Sequence, residues 1–276
     1  MELIILGSGG TEGTPKPCCG CERCALARRR RGRYLRTGPS LFIEPAGVLI
    51  DTPEEIRTQL INNNIKRVAA IFYTHWHPDH TLGLRIIEQI NLDCGTGRPR
   101  GRPIDVYFPE HELDLLDRFL IRRGVFDFYQ RLGLMRLHTI NHGDRFWFGG
   151  IEIEALRSPA STAFHYLIKE GERKVIYMPC EIKEIRESEK LKGSDYLIIH
   201  FSWWKEEGIC DTAPWKTEEV PVERVLEFAE NLKIKNVIFT HINECHGKTH
   251  AELKSLEEKY GHRNIRFAYD GMKISL

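Results

Sequence analysis

The sequence lacks the features that are typical of membrane proteins, of proteins that bind highly charged partners and of multidomain proteins. No run of about 18 apolar residues is present, the length that a membrane-spanning helix requires. The 40 basic and 39 acidic residues leave a formal net charge of +1, so no overall field favours nucleic acid or an anionic membrane surface. Low-complexity segments and linkers are also missing, and we therefore expect a single domain over residues 1–276.

No secretory leader is recognisable either, because the first apolar, strand-like run begins at residue 2 without a basic segment or a cleavage site before it. We expect a cytoplasmic protein with no membrane association. A homodimer is compatible with the sequence.

The most informative segment that is present is the histidine cluster His75-Trp76-His77-Pro78-Asp79-His80. An apolar, β-prone run over residues 69–73 precedes it, and a segment with helical spacing follows it. Imidazole and carboxylate are the ligands expected of zinc, iron(II) or manganese, and His-x-His places two rings on one side of an extended backbone. Metal binding is therefore a better interpretation than a surface loop that is histidine-rich by chance.

A second cluster contains three of the eight cysteines, Cys19, Cys21 and Cys24. Their spacing is too tight for a conventional disulfide framework and suits thiolates that converge on one tetrahedral ion. In a reducing cytosol this arrangement favours a structural zinc over cystines, although a redox-active cluster without metal is the alternative. The fourth ligand has to come from elsewhere, and we expect Cys245 or His246 to provide it.

The histidine cluster resembles the signature of the metallo-β-lactamase superfamily, and the resemblance implies an α/β fold, an αββα sandwich with the metals at one edge of the sheets. The hydrophobic pattern is consistent with such a layered domain. Strands are predicted over 2–7, 41–50, 69–73, 104–108, 134–140, 151–156, 164–168, 174–178, 195–200, 236–240 and 265–269. Helices are predicted over 54–63, 82–91, 110–121, 221–232 and 249–260, the last with a capping box of Thr249 and Glu252.

Both ends of the chain narrow the resemblance to two branches of the superfamily. The segment over residues 6–15, the cysteine cluster after it, and the segments 240–243 and 269–272 are similar to the cyclic phosphodiesterase of phosphonate breakdown and to the pyrroloquinoline quinone biosynthesis B protein. The resemblance implies that His241 is an active-site metal ligand. It also implies that the few residues after His241 complete the structural zinc site.

The middle of the chain departs from the phosphodiesterase pattern. The stretch over residues 157–161 has no histidine where a third ligand of the first metal is implied, and Cys180 stands near the position of a bridging aspartate. We expect His75 and His77 on a first metal. The second metal is expected to bind the side chains of Asp79, His80, Cys180 and His241. His200 ends an apolar strand and is a candidate catalytic residue or replacement ligand, whereas a buried free thiol remains the alternative for Cys180.

These residues predict a metal-dependent hydrolase with one or two Zn, Mn or Fe ions in its active site. The expected activity is that of a phosphodiesterase on a small cyclic phosphate or nucleotide-like substrate, through a metal-bound hydroxide that Asp79 orients. The basic run over residues 28–33 suits a phosphorylated small molecule, but a solvated helical face is the slightly favoured interpretation. Nucleic acid is a less favoured partner. The alternatives are an iron-dependent oxidoreductase of cofactor biosynthesis and a non-catalytic metal-binding protein.

Overall fold

The computed structural model describes residues 1–120, 123–180, 182, 184, 186, 188–204, 220–243 and 246–276. The strands are β1 (Glu2–Gly7), β2 (Ser40–Glu44), β3 (Val48–Ile50), β4 (Ala70–Phe72), β5 (Leu92–Asp93), β6 (Arg98–Pro99), β7 (Ile104–Pro109), β8 (Met135–Ile140), β9 (Arg145–Phe148), β10 (Ile151–Arg157), β11 (Phe164–Glu170), β12 (Arg173–Met178), β13 (Tyr196–His200), β14 (Val237–Thr240), β15 (Ile265–Phe267) and β16 (Met272–Ser275). The helices are α1 (Glu22–Arg30), α2 (Ile56–Asn62), α3 (Pro78–Thr81), α4 (Ile86–Asn91), α5 (Leu113–Leu120), α6 (Arg123–Arg131), α7 (Val222–Asn231) and α8 (His250–Lys259).

Two seven-stranded sheets form the centre of the molecule. Their strand orders are β16-β1-β2-β3-β4-β7-β8 and β15-β14-β13-β12-β11-β10-β9. Each sheet is antiparallel over one part and parallel over the other, with β3, β4, β7 and β8 parallel in the first and β12 to β15 parallel in the second. The carboxyl ends of parallel strands lie at one edge of a sheet, which is where α/β proteins place their ligand-binding side chains.

Three apolar clusters fill the layers. One lies between the sheets and joins residues such as Leu41 and Ile50 of the first sheet to Ile153 and Ile198 of the second. The other two cover the outer faces, where the first sheet packs against α2, α4, α5 and α6 and the second against α7 and α8. The arrangement confirms the αββα sandwich. Among the helices that the structure describes, none combines the length and the apolar character needed to cross a bilayer.

Several predicted elements differ in detail from the structure. The strand predicted over 41–50 is wrong as one element, because a turn that contains Gly47 at φ +69° divides it into β2 and β3. The helix predicted over 82–91 begins as a 3₁₀ turn over Leu82–Arg85 and becomes α-helical only in α4. The capping box of α8 is confirmed, since the Thr249 side chain accepts from the backbone of Glu252 and the Glu252 side chain accepts from the backbone of Thr249.

Candidate metal centre

The predicted metal ligands gather where parallel strands of both sheets end. His200 is the last residue of β13, and the other predicted side chains follow β4, β12 and β14: the segment 75–80, Cys180 and His241. Asp51, which was not predicted, follows β3 at the same edge. Two backbone hydrogen bonds hold the sheets together at this edge, from the amide of Phe164 to the carbonyl of Thr74 (2.8 Å) and from the amide of Ile242 to the carbonyl of Ser8 (2.9 Å). These two hydrogen bonds join residues that are 90 and 234 positions apart in the sequence.

The side chains form two potential ligand groups that share one sulfur atom. His75, His77 and Cys180 form one group, and His80, Cys180 and His241 form the other, with the ligand atoms within each group lying within 4.8 Å of one another. The ring centroids of His75 and His80 are 4.2 Å apart, so the two groups are adjacent. Imidazole nitrogen and thiolate sulfur are a donor set that fits zinc.

Asp79 lies beside the second group. Its Oδ2 atom is 3.4 Å from Nε2 of His241 and 3.8 Å from Nε2 of His80, and it accepts a hydrogen bond of 3.0 Å from the hydroxyl of Thr11. Burial raises the pKa of the Asp79 carboxyl, but the imidazoles of His80, His241 and His75 oppose this effect and hold the pKa well below its usual value. A carboxylate at this position adds negative charge where a metal cation would bind.

Asp51 and Thr74 determine how two of the imidazole rings point. Nδ1 of His80 lies 2.8 Å from Oδ2 of Asp51, and the Thr74 hydroxyl donates to the same carboxylate. That hydroxyl is also 2.9 Å from Nδ1 of His75. Because an ionised carboxylate only accepts hydrogen bonds, Nδ1 of His80 carries the proton and Nε2 presents a lone pair to the site.

His75 fits metal binding by the same argument. The Thr74 hydroxyl donates its proton to Asp51, so it accepts from Nδ1 of His75 and leaves the Nε2 lone pair available. Nε2 of His75 is buried and has no hydrogen-bond partner within the described part of the chain. Burial, together with neighbouring His80 and His77, lowers the pKa of His75 well below its usual value, so the ring is neutral and able to ligate.

His241 and His200 are packed together on the side of the second sheet. His241 has a left-handed backbone (φ +55°), and its ring stacks on that of His200 with a centroid distance of 4.4 Å. Burial and the nearby His241 lower the pKa of His200 well below its usual value. Gly10 passes so close that a Cβ atom there would lie 2.7 Å from Nδ1 of His241. His200 contacts a proposed ligand without belonging to either of the two groups.

Residues 157–161 contain no histidine, and His165 is not among the side chains of the two ligand groups. His165 is buried, and its Nε2 atom donates to the backbone carbonyl of Cys180 at 3.3 Å. The ring thus supports the segment that carries the shared sulfur. His165 also lines a cleft of about 690 Å³ on the outer face of the second sheet, which none of the side chains of the two ligand groups borders.

The three N-terminal cysteines come together at the start of α1. The sulfur atoms of Cys19, Cys21 and Cys24 lie within 4.8 Å of one another. Backbone amides donate to two of them, from Lys16 to Cys24 (3.3 Å) and from Cys24 to Cys21 (3.5 Å). Burial raises the pKa of the Cys24 thiol to about 11, so a bound cation would be needed to favour the thiolate.

His246 and Cys245 are the two candidates for the fourth ligand of the cysteine site, and the structure describes only His246. His246 is not among the described side chains that gather with the three thiols. The centroid of its ring lies 4.8 Å from that of the Phe201 ring. Burial, and to a smaller extent the nearby His241, lower the pKa of His246 to about 4. Cys245 lies outside the described residues. Two positions further on, a Cβ atom at Gly247 would be 3.6 Å from the guanidinium of Arg23, which is in α1. The loop after β14 therefore reaches the cysteine segment.

Sequence reasoning missed four supporting residues. Asp51, Thr74 and Thr11 orient proposed ligands, and Arg28 donates to the carbonyls of Cys19 (2.6 Å) and Lys16 (3.1 Å). The only signal for Asp51 was its place directly after a short apolar run. The role of Arg28 explains part of the basic run as support for the cysteine segment.

Comparison with known families agrees with this geometry. Residues 47–242 match the model of the beta-lactamase superfamily domain. The match covers more than half of the chain, and this protein belongs to the metallo-β-lactamase superfamily. The resemblance found in the sequence is thereby confirmed.

Curated relatives differ in their activities. A ribonuclease Z from Pyrococcus horikoshii is 26% identical over 263 residues, which cover 88% of this chain and 76% of that protein. An octanoyltransferase from Porphyromonas gingivalis is 30% identical over 162 residues, which cover 57% of this chain and 30% of that protein. This chain therefore spans less than a third of the length of the octanoyltransferase.

Several solved structures match along the whole chain. A diphosphatase from the PhnP family has a TM-score of 0.73 and 26% identity, covering 100% of this chain and 97% of the other. Zn(2+)-bound PqqB from Methylobacterium extorquens has a TM-score of 0.78 and 22% identity, covering 100% of both chains. The latter similarity shows the shared fold.

Proposed function

We propose that this protein is a metal-dependent phosphodiesterase that acts on a small cyclic phosphate or a nucleotide-like substrate. The observation that carries the proposal is the pair of adjacent ligand groups that share the sulfur of Cys180, with a carboxylate beside them. Two adjacent cation sites are the arrangement that proteins use to cleave phosphoesters by attack of water. A relative that resembles the chain over its whole length is a diphosphatase, which supports phosphorus as the reacting centre.

The ligands divide between two ions. His75, His77 and Cys180 would hold one, and His80, Cys180 and His241 the other. Bound divalent ions would lower the pKa of a water molecule toward neutrality and offset the negative charge that develops at phosphorus. Because thiolate is a soft ligand, the donor set favours zinc over manganese.

Cys180 compensates for the absent third histidine. A single thiolate within reach of both ligand groups would supply one negative charge for the two sites together, as one carboxylate would. The hydrogen bond from His165 to the Cys180 carbonyl holds the backbone at this position. Without an imidazole from residues 157–161, the first group therefore has two imidazoles of its own and the thiol group that it shares with the second group.

Asp79 and His200 are the residues that we propose for catalysis. Asp79, fixed by the hydroxyl of Thr11, would orient the attacking water by accepting one of its hydrogen bonds. His200 is held against His241 and lies on the side of the second sheet, where it would contact the bound phosphate. Their substitution should lower kcat more than it raises KM.

A structural zinc is the second metal-binding proposal. Cys19, Cys21 and Cys24 would provide three thiolates, and we assign the fourth to Cys245 because His246 packs against Phe201 instead. Such an ion would tie α1 to the loop after β14 and contribute folding free energy directly.

The decisive experiment combines elemental analysis with cobalt substitution. The purified protein should contain up to three zinc ions per chain and should hydrolyse a chromogenic phosphodiester and cyclic nucleotides. In the cobalt-loaded protein, the Cys180→Ser variant should lose thiolate-to-cobalt absorption from the active site, whereas Cys94→Ser, an exposed cysteine, serves as the matched control. Stoichiometric metal without turnover of any phosphodiester would contradict the proposed activity.

A second candidate is an iron-dependent oxidoreductase of cofactor biosynthesis. The specific observation in its favour is that residues 157–161 bring no imidazole to the first ligand group, which would leave open coordination positions on an iron ion. Oxygen consumption by the iron-loaded protein in the presence of a quinone precursor, without phosphodiester hydrolysis, would favour this candidate over the first.

A further inference from the structure

A small cavity lies between α1, the turn at Tyr34 and the beginning of α8, outside the two ligand groups. Its volume is about 20 Å³, and the side chains that matter for its chemistry are Arg23, Arg36, Lys248 and His250. This volume admits one group of the size of a water molecule or of a single oxygen atom.

Arg36 is the buried wall of the cavity. The residue is only 5% exposed; its Nη1 donates to the hydroxyl of Ser8 (2.9 Å) and to the carbonyl of Ala268 (2.6 Å). Its Nη2 is buried and has no hydrogen-bond partner within the described part of the chain. Burial lowers the pKa of Arg36 to about 10, so the guanidinium is still charged at neutral pH. A buried cationic nitrogen without an acceptor is costly unless a ligand supplies one.

His250 presents a second buried atom of the same kind. Its Nδ1 has no hydrogen-bond partner among the residues that the structure describes, and its ring packs edge-on against Tyr34 at 5.7 Å. Burial, together with Arg36 and Arg33, lowers the pKa of His250, so the ring is neutral and can still donate one hydrogen bond. The nearby carboxylate of Glu252 is engaged by the amide and the hydroxyl of Thr249.

We propose that this cavity is a phosphoryl-binding site that takes one oxygen of a phosphate group, with the remaining oxygens at its mouth. Three cationic side chains border it, and two of its buried nitrogens lack an acceptor. The carboxylates of Asp270 and Glu252 act on these cations, but neither gives an acceptor to the two buried nitrogens. Guanidinium groups bind phosphate oxygens well, and a phosphate oxygen would supply the missing acceptor together with negative charge. A trapped water molecule would satisfy the two nitrogens but would add no negative charge.

The site is close to the metal centre but distinct from it. Ser8, which accepts from Arg36, offers its carbonyl to the amide of Ile242, and Gly9 pairs with Ile242 as an isolated bridge. Ile242 follows His241 directly. A short backbone ladder thus connects the wall of the cavity with the segment that carries His241, and a substrate with a second phosphate is expected to reach both the cavity and the ligand groups. Free inorganic phosphate is the other source of the same chemistry.

The test is a calorimetric titration of the intact, metal-loaded protein with inorganic phosphate at constant ionic strength. We expect saturable binding that chloride does not reproduce, and a dissociation constant that rises about tenfold or more in Lys248→Gln and in His250→Ala, because each loses a charge-assisted or buried hydrogen bond. Lys254→Gln, an exposed lysine that pairs with Glu257 on α8, is the matched control and should bind like the parent.

A variant of the first ligand group, His75→Ala, separates this site from the metal centre, because it should still bind phosphate. If the parent protein shows no saturable binding, or if only His75→Ala loses it, the proposed site is wrong. In the second arm, the two cavity variants should raise KM about tenfold for a phosphodiester with an additional terminal phosphate and leave KM unchanged for one without. Equal KM values for both substrates in every variant would restrict the site to free phosphate.

Discussion

Replacement of Asp51 by Asn should weaken the second ligand group through the proton on His80. The parent carboxylate can only accept, so it fixes the proton of His80 on Nδ1 at a contact of 2.8 Å. In the parent protein, the backbone amide of Thr74 donates to Oδ1 of Asp51 at 2.8 Å. In Asp51→Asn, the side-chain oxygen is needed to accept this hydrogen bond, so the NH₂ group faces His80. His80 must then accept at Nδ1 and carry its proton on Nε2, which removes the lone pair from the metal site.

The magnitude follows from the role of such supporting groups. Loss of a carboxylate that orients a ligating imidazole reduces metal affinity by about 10–100-fold, or about 1.4–2.8 kcal/mol. The backbone should not contribute, because Asp51 is left-handed at φ +62° and Asn tolerates this conformation as well as Asp does. We expect the upper end of the range, since Asp51 and His80 are both fully buried.

The assay is competition for zinc with a chromophoric chelator, after the metal content per chain has been counted by elemental analysis. A matched control is Asp105→Asn, which alters another aspartate-histidine contact, to His138 at 2.9 Å. This contact lies at the edge of the first sheet, where both side chains are partly exposed. The control should keep the metal affinity of the parent protein. Unchanged zinc affinity in a folded Asp51→Asn protein would refute the assignment of His80 as a ligand oriented by Asp51.

Further predictions concern other parts of the site and fold. Gly10→Ala should lower hydrolytic activity about a hundredfold, because its Cβ would lie 2.2 Å from Oδ1 of Asn243 and 2.7 Å from Nδ1 of His241 and would displace these side chains. Gly20→Ala, which has no atom within 4 Å of its Cβ position, should retain full activity in the same assay. Arg28→Ala should weaken zinc binding at the cysteine segment about fivefold in chelator competition, because an exposed charged donor contributes about 1 kcal/mol. Thr249→Ala should lower the free energy of unfolding by about 1 kcal/mol in a denaturant titration, because it removes the capping box of α8; an unchanged midpoint would contradict this.

Local patterns in the sequence predicted much of the fold and the identity of the proposed ligands. The buried strands are continuous apolar runs, and the capping box of α8 is a contact between residues three positions apart, so both can be recognised within a short window. The histidine cluster that follows β4 also lies within a short segment, so its spacing alone predicted a metal site. The resemblance to the superfamily added the architecture, which periodicity alone does not specify.

Hydrophobic periodicity did not predict the strands correctly where tertiary contacts override the local preference of the sequence. Strand β9 has alternating partial burial and was not predicted, although it pairs with β10 through contacts such as Trp147 with Glu152. The division of 41–50 into β2 and β3 depends on one glycine in a turn. Hydrophobic periodicity does not show where a turn divides one apolar run into two strands.

The sequence by itself determined that imidazole, thiolate and carboxylate groups of the right kinds are present, because residue type and local spacing are properties of short segments. Only the tertiary structure decided that the sulfur of Cys180 lies within reach of both histidine groups, that Asp51 orients His80, and that a nitrogen of Arg36 is buried without an acceptor. The physical reason is that parallel strands from distant parts of the chain end at one edge of the sandwich. Distances across that edge depend on how the two sheets pack, which no local stretch of sequence encodes.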